Sequence, residues 1–289
     1  MKKFLIKLIF FMAFPISYFG VNMIINYLIY HNQPVPIKRT NILIAGDSHP
    51  QKSLNPVYFH DAQNISQPAE PYILTYWKLK KIFKTVLPDT LIIGFAPHNI
   101  SEFNDLKFSN KRWADEMFKR SYPIEEFRQI SNTISVDYRT FYKVLLEQTG
   151  FYPKRHHINY IGEYSNTGKS NVASWEIVIK NHYYDNDKEL SVSKISINYL
   201  DSIISLCNSK KIAVILVGSP LYRKYLENIP SDIMNRYKYL VQKYSKEYIV
   251  FDRIIDYYPD SLYLDSDHLN EKGAVIFSKE LIEYINKQR

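Results

Sequence analysis

The chain has almost no cysteine. Cys207 is the single cysteine among 289 residues, which excludes a disulfide within the chain and any metal centre with several cysteine ligands. It falls in an apolar helical pattern, so we expect a buried structural thiol.

Blocks of like charge are also lacking, although Lys and Arg number 37 against 29 Asp and Glu, a net charge of +8. This mild excess suits an anionic membrane surface or glycan and does not indicate a nucleic-acid partner.

Charge is absent from one long stretch near the amino terminus. Residues 8–30 carry no charged side chain, three lysines precede or open the stretch, and no acid occurs in residues 1–32. A segment of this length can cross a bilayer as a helix. A short apolar core and a small-residue cleavage site, which are typical of a signal peptide, are not evident, so the pattern predicts an uncleaved single-pass anchor over residues 1–31. The lysines at its start place the rest of the chain outside the cytosol, in the periplasm or at the cell surface.

An apolar run that ends in a serine follows this segment. Residues 41–45 have the pattern of a buried strand and continue directly into Gly46-Asp47-Ser48. Glycine allows the backbone to turn sharply, and a serine at the carboxyl end of a parallel strand lies where open α/β sheets bind ligands. A serine needs a base to act as a nucleophile. His268, three residues after Asp265, is the candidate base.

In order and spacing, Gly46-Asp47-Ser48 and Asp265-x-x-His268 resemble the motifs of the SGNH, or GDSL-type, esterase and acyltransferase family. The resemblance implies that Ser48 is the nucleophile, His268 the general base and Asp265 the acid that orients the imidazole, with Asp267 as second choice for that acid. It implies an acyl-serine intermediate, no cofactor and no metal.

The resemblance also implies three hydrogen-bond donors to an oxyanion. The backbone N–H of Ser48 is the first. Ser66 stands where the family has a glycine after the second strand, and it can still offer its N–H. After the third strand the family's Gly-x-Asn-Asp is replaced by residues 94–99, in which Asn99 is the candidate donor and His98 the second choice. These departures concern the oxyanion donors more than the triad.

Strands and helices alternate along the rest of the chain. The predicted strands are 41–45, 62–66, 89–95, 211–218 and 248–252, and the predicted helices are 71–86, 191–209, 231–246 and 271–287. Such alternation predicts an α/β fold with a parallel sheet covered on both faces. The resemblance implies the same three-layer α/β/α sandwich with a five-stranded flavodoxin-like sheet. We therefore expect a linker at residues 32–40 and one SGNH hydrolase-like domain at residues 41–289.

The interval from about residue 100 to 190 is too long for a crossover between parallel strands, so we expect an insertion with helices near 110–119 and 135–148. Its section 152–184 is rich in tyrosine and histidine. Aromatic faces with interspersed donors suit carbohydrate, and a packed subdomain explains the same composition equally well. We expect part of this section to border the cleft above Ser48. A metal site is disfavoured there, because adjacent histidines rarely converge on one ion. The histidines in question are His156, His157 and His182.

Together these features predict a membrane-anchored, extracytoplasmic enzyme that acts on O-acyl groups, O-acetyl in particular, of a cell-envelope polysaccharide. The substrate is then an O-acylated polysaccharide or another acyl ester, and a multispanning acyltransferase is a candidate partner. Hydrolysis and transfer pass through the same acyl-serine and differ in whether water or a sugar hydroxyl accepts the acyl group. A noncatalytic glycan-binding or scaffold subunit is the alternative, because the segment after the third strand is altered.

Overall fold

The computed structural model describes residues 1–124, 127–167 and 172–288. They form two compact units. The first comprises Met1–Pro36 and Lys107–Tyr160, and the second comprises Ile37–Leu106 and Ile161–Arg289. The predicted insertion is therefore shared between them, because its residues 107–160 group with the amino-terminal helix and the rest groups with the sheet.

A five-stranded sheet forms the centre of the second unit. Its strands are β1 (Ile42–Ala45), β2 (Ala62–Asn64), β3 (Thr90–Gly94), β6 (Ala213–Gly218) and β7 (Ile249–Asp252), while β4 (Tyr184–Asp185) and β5 (Lys188–Glu189) form a separate antiparallel hairpin. The sheet is parallel throughout, in the order β2-β1-β3-β6-β7. This is the flavodoxin-like order, in which the chain reverses direction across the sheet between β1 and β3. The predicted fold class is confirmed.

Helices cover both faces of this sheet. The α-helices of the described residues are α1 (Lys2–Asn32), α2 (Ser48–Ser53), α3 (Tyr72–Ile82), α4 (Phe103–Leu106), α5 (Ala114–Ser121), α6 (Phe127–Ser131), α7 (Tyr138–Thr149), α8 (Trp175–Tyr183), α9 (Lys194–Ser209), α10 (Arg223–Glu227), α11 (Ser231–Tyr244) and α12 (Glu271–Gln288). Phe277 and Leu281 of α12 pack with Ile44 and Ile92 of the sheet in one apolar core. Successive strand residues face opposite sides, so Leu43 and Leu91 are buried on the other face.

The other face is covered by α3, α9 and α11, which contact one another through aromatic side chains. The rings of Tyr76 and Tyr199 lie 5.6 Å apart between α3 and α9. Tyr244 of α11 donates a hydrogen bond to Asp201 of α9 at 2.9 Å. The result is a three-layer arrangement that leaves the carboxyl ends of β1 and β3 open at one edge.

The first unit contains α1, α5, α6 and α7. Phe118 of α5 packs edge-on against Phe141 of α7, with ring centres 5.5 Å apart. Among the described residues, α1 is the one helix long and apolar enough to cross a membrane, with a mean hydropathy of 2.0 in its most apolar window. A membrane anchor and a signal sequence at an amino terminus both have these properties.

Phe277→Ala tests whether the core beneath α12 stabilises the sheet. The side chain is fully buried and packs 5.5 Å from the ring of Phe251, so its truncation leaves a cavity. We expect the free energy of unfolding to fall by about 3–5 kcal/mol. The neighbouring substitution Ile276→Ala, at a side chain that is 39% exposed, should change it by about 0.5 kcal/mol at most. Unfolding of the full chain in detergent micelles, followed by circular dichroism, measures both; equal losses would contradict the packing.

Candidate active site

The turn after β1 presents Ser48 at the edge of the sheet where the strand order reverses. Gly46 has φ of +131°, a conformation that side chains with a Cβ rarely adopt. A Cβ there would also lie 2.9 Å from Cγ of Pro50 and 3.2 Å from the nitrogen of Gly94. The Cα of residue 46 therefore packs directly between α2 and β3. Glycine is required at this position for Ser48 to begin α2 where it does.

Ser48, His268 and Asp265 form a hydrogen-bonded chain. Oγ of Ser48 lies 2.7 Å from Nε2 of His268, and Nδ1 of the same ring lies 2.8 Å and 3.0 Å from the two carboxylate oxygens of Asp265. In this geometry Nδ1 carries the proton that Asp265 accepts, so Nε2 is free to take the proton of the serine. The three residues predicted to act together do lie together.

The loop between Asp265 and His268 is shaped by the acid itself. Oδ1 of Asp265 accepts the backbone N–H groups of Asp267 and His268, at 3.1 Å and 2.9 Å. The N–H of Leu264 donates to the carbonyl oxygen of His268 at 2.8 Å. A spacing of three residues thus lets one carboxylate close the loop and bind the imidazole that the loop carries.

Asp267 places a second negative charge behind the base. It is 2% exposed, and one of its oxygens lies 3.5 Å from Nδ1 of His268, while the other lies 3.2 Å from Nε2 of His49. Burial alone would favour the neutral acid, but the positive charge of His268 and the hydrogen bond from His49 hold the pKa of Asp267 well below its usual range. Asp267 is therefore an ionised internal group.

The pKa of His268 is raised to about 9 by these two carboxylates. Burial works against the charged imidazole, but the charge of Asp267 and the hydrogen bond and charge of Asp265 outweigh it. The geometry therefore gives the acids different parts. Asp265 makes the short contact that orients the ring, and Asp267 contributes mainly charge.

Asp47 is the centre of a second buried network, on the opposite side of Ser48. Its Oδ1 accepts the backbone N–H of His49 at 2.9 Å, and its Oδ2 accepts from Nε2 of His98 at 2.5 Å and from the amide of Asn99 at 2.7 Å. Burial disfavours the charged form of Asp47, but the neighbouring His98 and His49 lower its pKa far below the usual value. Burial is also the main cause that lowers the pKa of His98. A neutral His98 with its proton on Nε2 can donate this hydrogen bond to an ionised Asp47, which agrees with the lowered pKa of both groups.

Four imidazoles line up behind the nucleophile. The ring of His49 lies 4.9 Å from that of His268 and 4.2 Å from that of His98, which is stacked 5.0 Å from His182. His182 in turn lies 2.8 Å from the hydroxyl of Tyr225. Sequence reasoning did not find His49 as a site residue, because its carboxylate partner is 218 positions away and no spacing connects the two.

The predicted oxyanion donors differ in their availability. No hydrogen bond from the N–H of Ser48 is present within the described part of the chain. The N–H of Ser66 donates to the side chain of Asn64 at 2.9 Å. The side-chain amide of Asn99 donates to Asp47, and its oxygen accepts the N–H of Ala96 at 2.8 Å. The oxyanion roles of Ser48, Ser66 and Asn99 remain predictions.

One group of side chains could in principle bind a metal ion. Within the described residues, His49, Asp267 and His268 offer donor atoms that lie within 4.8 Å of one another. Both ring nitrogens of His268 already contact triad partners, which leaves neither for an ion. Of the histidines considered from sequence, His157 contacts Asn26 at 2.9 Å and Tyr122 at 2.8 Å, and His156 contacts Gln33 at 3.1 Å. All three partners belong to the first unit, so both imidazole rings are hydrogen-bonded there.

Part of the aromatic section of the insertion borders the helix that carries Ser48. The amide of Gln51 donates to the carbonyl oxygen of Glu163 at 3.2 Å. Asn166 donates to the carbonyl oxygens of Lys52 and Leu269, at 2.7 Å and 3.1 Å. Asn166 thus connects α2 to the residue after the catalytic histidine candidate. Residues 152–160 belong to the first unit, and residues 163–166 of the second unit contact α2 and Leu269. A border between this section and the cleft above Ser48 stays a prediction.

A cleft of about 290 Å³ lies beside the loop of Asp265 and His268. It is lined by residues from the segments that follow β6 and β7: Leu221, Tyr222, Arg223, Leu226, Glu227, Ile255, Asp256, Tyr257, Tyr258, Asp260 and Tyr263. The N–H of Tyr222 donates to the carbonyl oxygen of Ser266, and the hydroxyl of Tyr263 donates to that of Leu221, both at 3.1 Å. The wall of the cleft is therefore continuous with the catalytic loop.

No family model and no curated protein matches the chain. Solved structures that resemble it include a GDSL-like lipase from Bacteroides thetaiotaomicron, at 11% identity and a TM-score of 0.41, with coverage of 93% of this chain and 98% of that one. Another is a lipase/acylhydrolase from Enterococcus faecalis, at 13% identity and a TM-score of 0.40, with coverage of 87% and 97%. Because these sequence identities and TM-scores are low, the chemical interpretation of the site depends only on the geometry of this chain.

That geometry has the features that the motifs led us to expect of an SGNH-type hydrolase. A flavodoxin-like sheet places Gly46-Asp47-Ser48 after β1, and the loop with Asp265 and His268 lies before the last helix. The side chains of the two motifs meet across a hydrogen bond of 2.7 Å.

The pH dependence of activity tests the part assigned to each carboxylate. A protonated imidazole cannot accept the serine proton, so kcat/KM should fall as the pH drops below about 9. Asp267→Asn should move this midpoint to lower pH, because it removes the buried charge that stabilises the imidazolium. Asp265→Asn should also lower the plateau value of kcat, by up to about 10⁴-fold, because it favours the wrong tautomer.

Steady-state rates on a small acetyl ester, measured at a series of pH values, give the midpoint and the plateau separately. Asp232→Asn, which removes an exposed acid at the start of α11, is the control and should change neither. A midpoint that stays in place in Asp267→Asn would contradict the electrostatic part given to Asp267.

Proposed function

We propose that the protein is a membrane-anchored, extracytoplasmic serine esterase or O-acyltransferase of the SGNH type, acting on O-acyl groups, O-acetyl in particular, of a cell-envelope polysaccharide. The observation that carries the proposal is the chain of contacts from Ser48 through His268 to Asp265, at 2.7 Å and 2.8 Å. A serine, a base and an orienting acid in this geometry are the parts needed for nucleophilic acyl transfer.

In the first half of the reaction, Oγ of Ser48 attacks the ester carbonyl while Nε2 of His268 takes its proton. The carbonyl oxygen gains a negative charge, which the N–H of Ser48 stabilises by donating a hydrogen bond. The C–O bond to the leaving alcohol then breaks, and His268 returns the proton to that alcohol. Ser48 is left as an acyl ester, and the imidazolium formed on the way is stabilised by Asp265 and Asp267.

The second half repeats these steps with another hydroxyl. Water or a sugar hydroxyl loses its proton to His268 and attacks the acyl carbon. The bond between that carbon and Oγ of Ser48 then breaks, the acid or the new ester leaves, and the proton passes from His268 to Oγ of Ser48. Water as acceptor gives hydrolysis and a sugar hydroxyl gives transfer, so both activities use the same residues.

The location is supported by α1. The helix has 31 residues, no acid and an apolar surface that is exposed along most of its length. At about 1.5 Å per residue it exceeds the thickness of the hydrocarbon core of a bilayer, about 30 Å. Lys2, Lys3 and Lys7 at its start support an orientation with the amino terminus in the cytosol and Ser48 on the other side of the membrane.

The cleft beside the catalytic loop supports a sugar substrate. Tyr257 is 79% exposed, and tyrosine faces pack well on the C–H surfaces of sugar rings. Carboxylates and a guanidinium in the same lining, such as those of Asp260 and Arg223, can bind sugar hydroxyls. The volume of this cleft, about 290 Å³, lies at the lower end of the range seen for small-molecule sites.

Ser48→Ala tests the catalytic reading directly. The substitution removes the nucleophile, so turnover of a small acetyl ester and labelling by a serine-directed fluorophosphonate should both disappear. Only one oxygen is lost, and the melting temperature should stay close to that of the wild type. Ser202→Ala, at a half-buried position on α9, is the matched control and should retain both properties. Full esterase activity in purified Ser48→Ala would exclude Ser48 as the nucleophile.

Tyr257→Ala tests the substrate class. If the cleft binds sugar rings, the substitution should raise KM for an acetylated oligosaccharide several-fold and leave kcat/KM for a small aryl acetate unchanged. Tyr239→Ala removes a tyrosine that is 54% exposed on α11, outside the cleft lining, and should affect neither substrate. Equal effects of Tyr257→Ala on both esters would argue against a sugar subsite here.

A noncatalytic glycan-binding or scaffold subunit, for instance one that partners a multispanning acyltransferase, is the second candidate. The hydrogen bonds made by the N–H of Ser66 and the amide of Asn99 favour it, because they occupy two of the three predicted oxyanion donors. In that case the wild type would not take the fluorophosphonate label, and Tyr257→Ala would weaken glycan binding without any hydrolysis to measure.

A further inference from the structure

The last third of α1 is bound by polar contacts to the segment that follows α7. Asn22 and Asn26 are the two buried residues of α1. The side-chain amide of Asn26 donates to the carbonyl oxygens of Thr149 and Phe151, at 2.9 Å and 3.2 Å, and its oxygen accepts the N–H of Lys154 at 2.9 Å. A buried asparagine with this many partners fixes the segment against one side of the helix.

Gln33, just beyond the end of α1, continues this attachment. Its side-chain oxygen accepts the N–H of His157 at 2.9 Å, and its amide lies 3.1 Å from the ring of His156. Residues 149–157 are therefore held beside residues 22–33. This many polar contacts is typical of the end of a membrane-spanning helix that lies outside the hydrocarbon core.

The length of α1 sets the depth of this attachment. Thirty-one residues at about 1.5 Å each span about 46 Å, which is about 16 Å more than a hydrocarbon core of about 30 Å. If the uncharged part that begins at Leu8 fills the core, about 20 residues bring the helix to the far boundary near Tyr27. The groups of residues 154–157 that bond to Asn26 and Gln33 then lie near this boundary, and Gly150 and Phe151, which contact Phe19, lie on its hydrocarbon side.

An exposed apolar surface extends from this point along α7. Tyr138, Tyr142 and Leu146 are spaced by four residues, so they share one face of the helix, and they are 55%, 60% and 40% exposed. Phe151 packs edge-on against Phe19 of α1 with ring centres 5.5 Å apart, yet it remains 45% exposed. Tyr152 beside it is 83% exposed.

This surface joins the apolar surface of α1 without a gap. A Cβ at Gly150 would lie 2.5 Å from Cδ1 of Leu146 and 3.4 Å from Cδ1 of Phe19, so all three residues meet at one point. Exposed basic side chains flank the surface, at Arg139 on α7 and Arg155 after it. Tyrosines between apolar and basic residues are typical of segments at a membrane–water boundary, where anionic lipids attract the basic groups.

We propose that Tyr138, Tyr142, Leu146, Phe151 and Tyr152 form a membrane-interface surface that inserts into the headgroup region and the adjoining hydrocarbon of the leaflet from which α1 emerges. Its occupant is the bilayer, because the surface is continuous with a helix built to lie in lipid. The inference rests on the proposed anchor and assigns α7 a second contact with the same membrane, so that the first unit has a fixed depth and orientation on the membrane.

The test uses the full chain in vesicles of phosphatidylcholine and phosphatidylglycerol, with a nitrobenzoxadiazole dye on single introduced cysteines. The native Cys207 is fully buried, and the unsubstituted protein gives its background labelling. Tyr142→Cys and Tyr152→Cys probe the surface, Phe11→Cys probes the span, and Tyr239→Cys probes an exposed site of the other unit. Quenching by nitroxide on shallow lipid positions and by aqueous iodide measures the depth of each dye.

We expect dyes at 142 and 152 to emit at shorter wavelength than the dye at 239, and to be quenched several-fold more by the lipid nitroxide and less by iodide. If they behave like the dye at 239 while the dye at 11 stays in lipid, the surface faces water and the inference is wrong. If both quenchers fail to reach them, a protein covers the surface instead of lipid, which also overturns it. A dye at 11 that iodide quenches would show that the anchor itself is wrong.

Discussion

Two ionised carboxylates, Asp47 and Asp267, are buried on either side of the nucleophile, and the structure of the site depends on how their charges are compensated. Burying an unpaired charge is costly, so each acid needs hydrogen-bond donors at short distance. His98, Asn99 and a backbone N–H supply them for Asp47. His49 supplies one for Asp267, whose charge also lies 3.5 Å from Nδ1 of His268. The base is thus part of the network that makes the second charge tolerable.

This arrangement has consequences for the triad. The same charge that stabilises the imidazolium of His268 raises its pKa to about 9, which favours the intermediate and reduces the fraction of neutral base at lower pH. The rigid turn at Gly46, which packs against Pro50 and Gly94, keeps Ser48 at hydrogen-bond distance from that base. Position and electrostatics of the nucleophile are therefore set by different parts of the chain.

The long insertion contributes to both compact units and has a different part in each. In the unit with the sheet, residues 163–166 bond to α2 and to Leu269, next to the catalytic loop. In the unit with α1, the segment after α7 bonds to Asn26. The aromatic section 152–184, part of which was expected to border the cleft above Ser48, is divided between the two units, and residues 107–160 of the insertion group with the amino-terminal helix.

The sequence by itself determined the sheet, the apolar helix and the three residues that form the hydrogen-bonded chain from Ser48 to Asp265. Local patterns carry these features, since an apolar run ending in Gly46-Asp47-Ser48 and an acid three residues before His268 are readable within a few positions. Tertiary structure alone decided that His49 pairs with Asp267, that Asn99 serves Asp47, and that Asn26 in an apolar helix binds the backbone of residues 149–154. The two residues in each of these contacts are between 52 and 218 positions apart in the sequence. Nothing in a local pattern reports such a contact, because its energy comes from burying a polar group next to a partner that only the folded chain brings within reach.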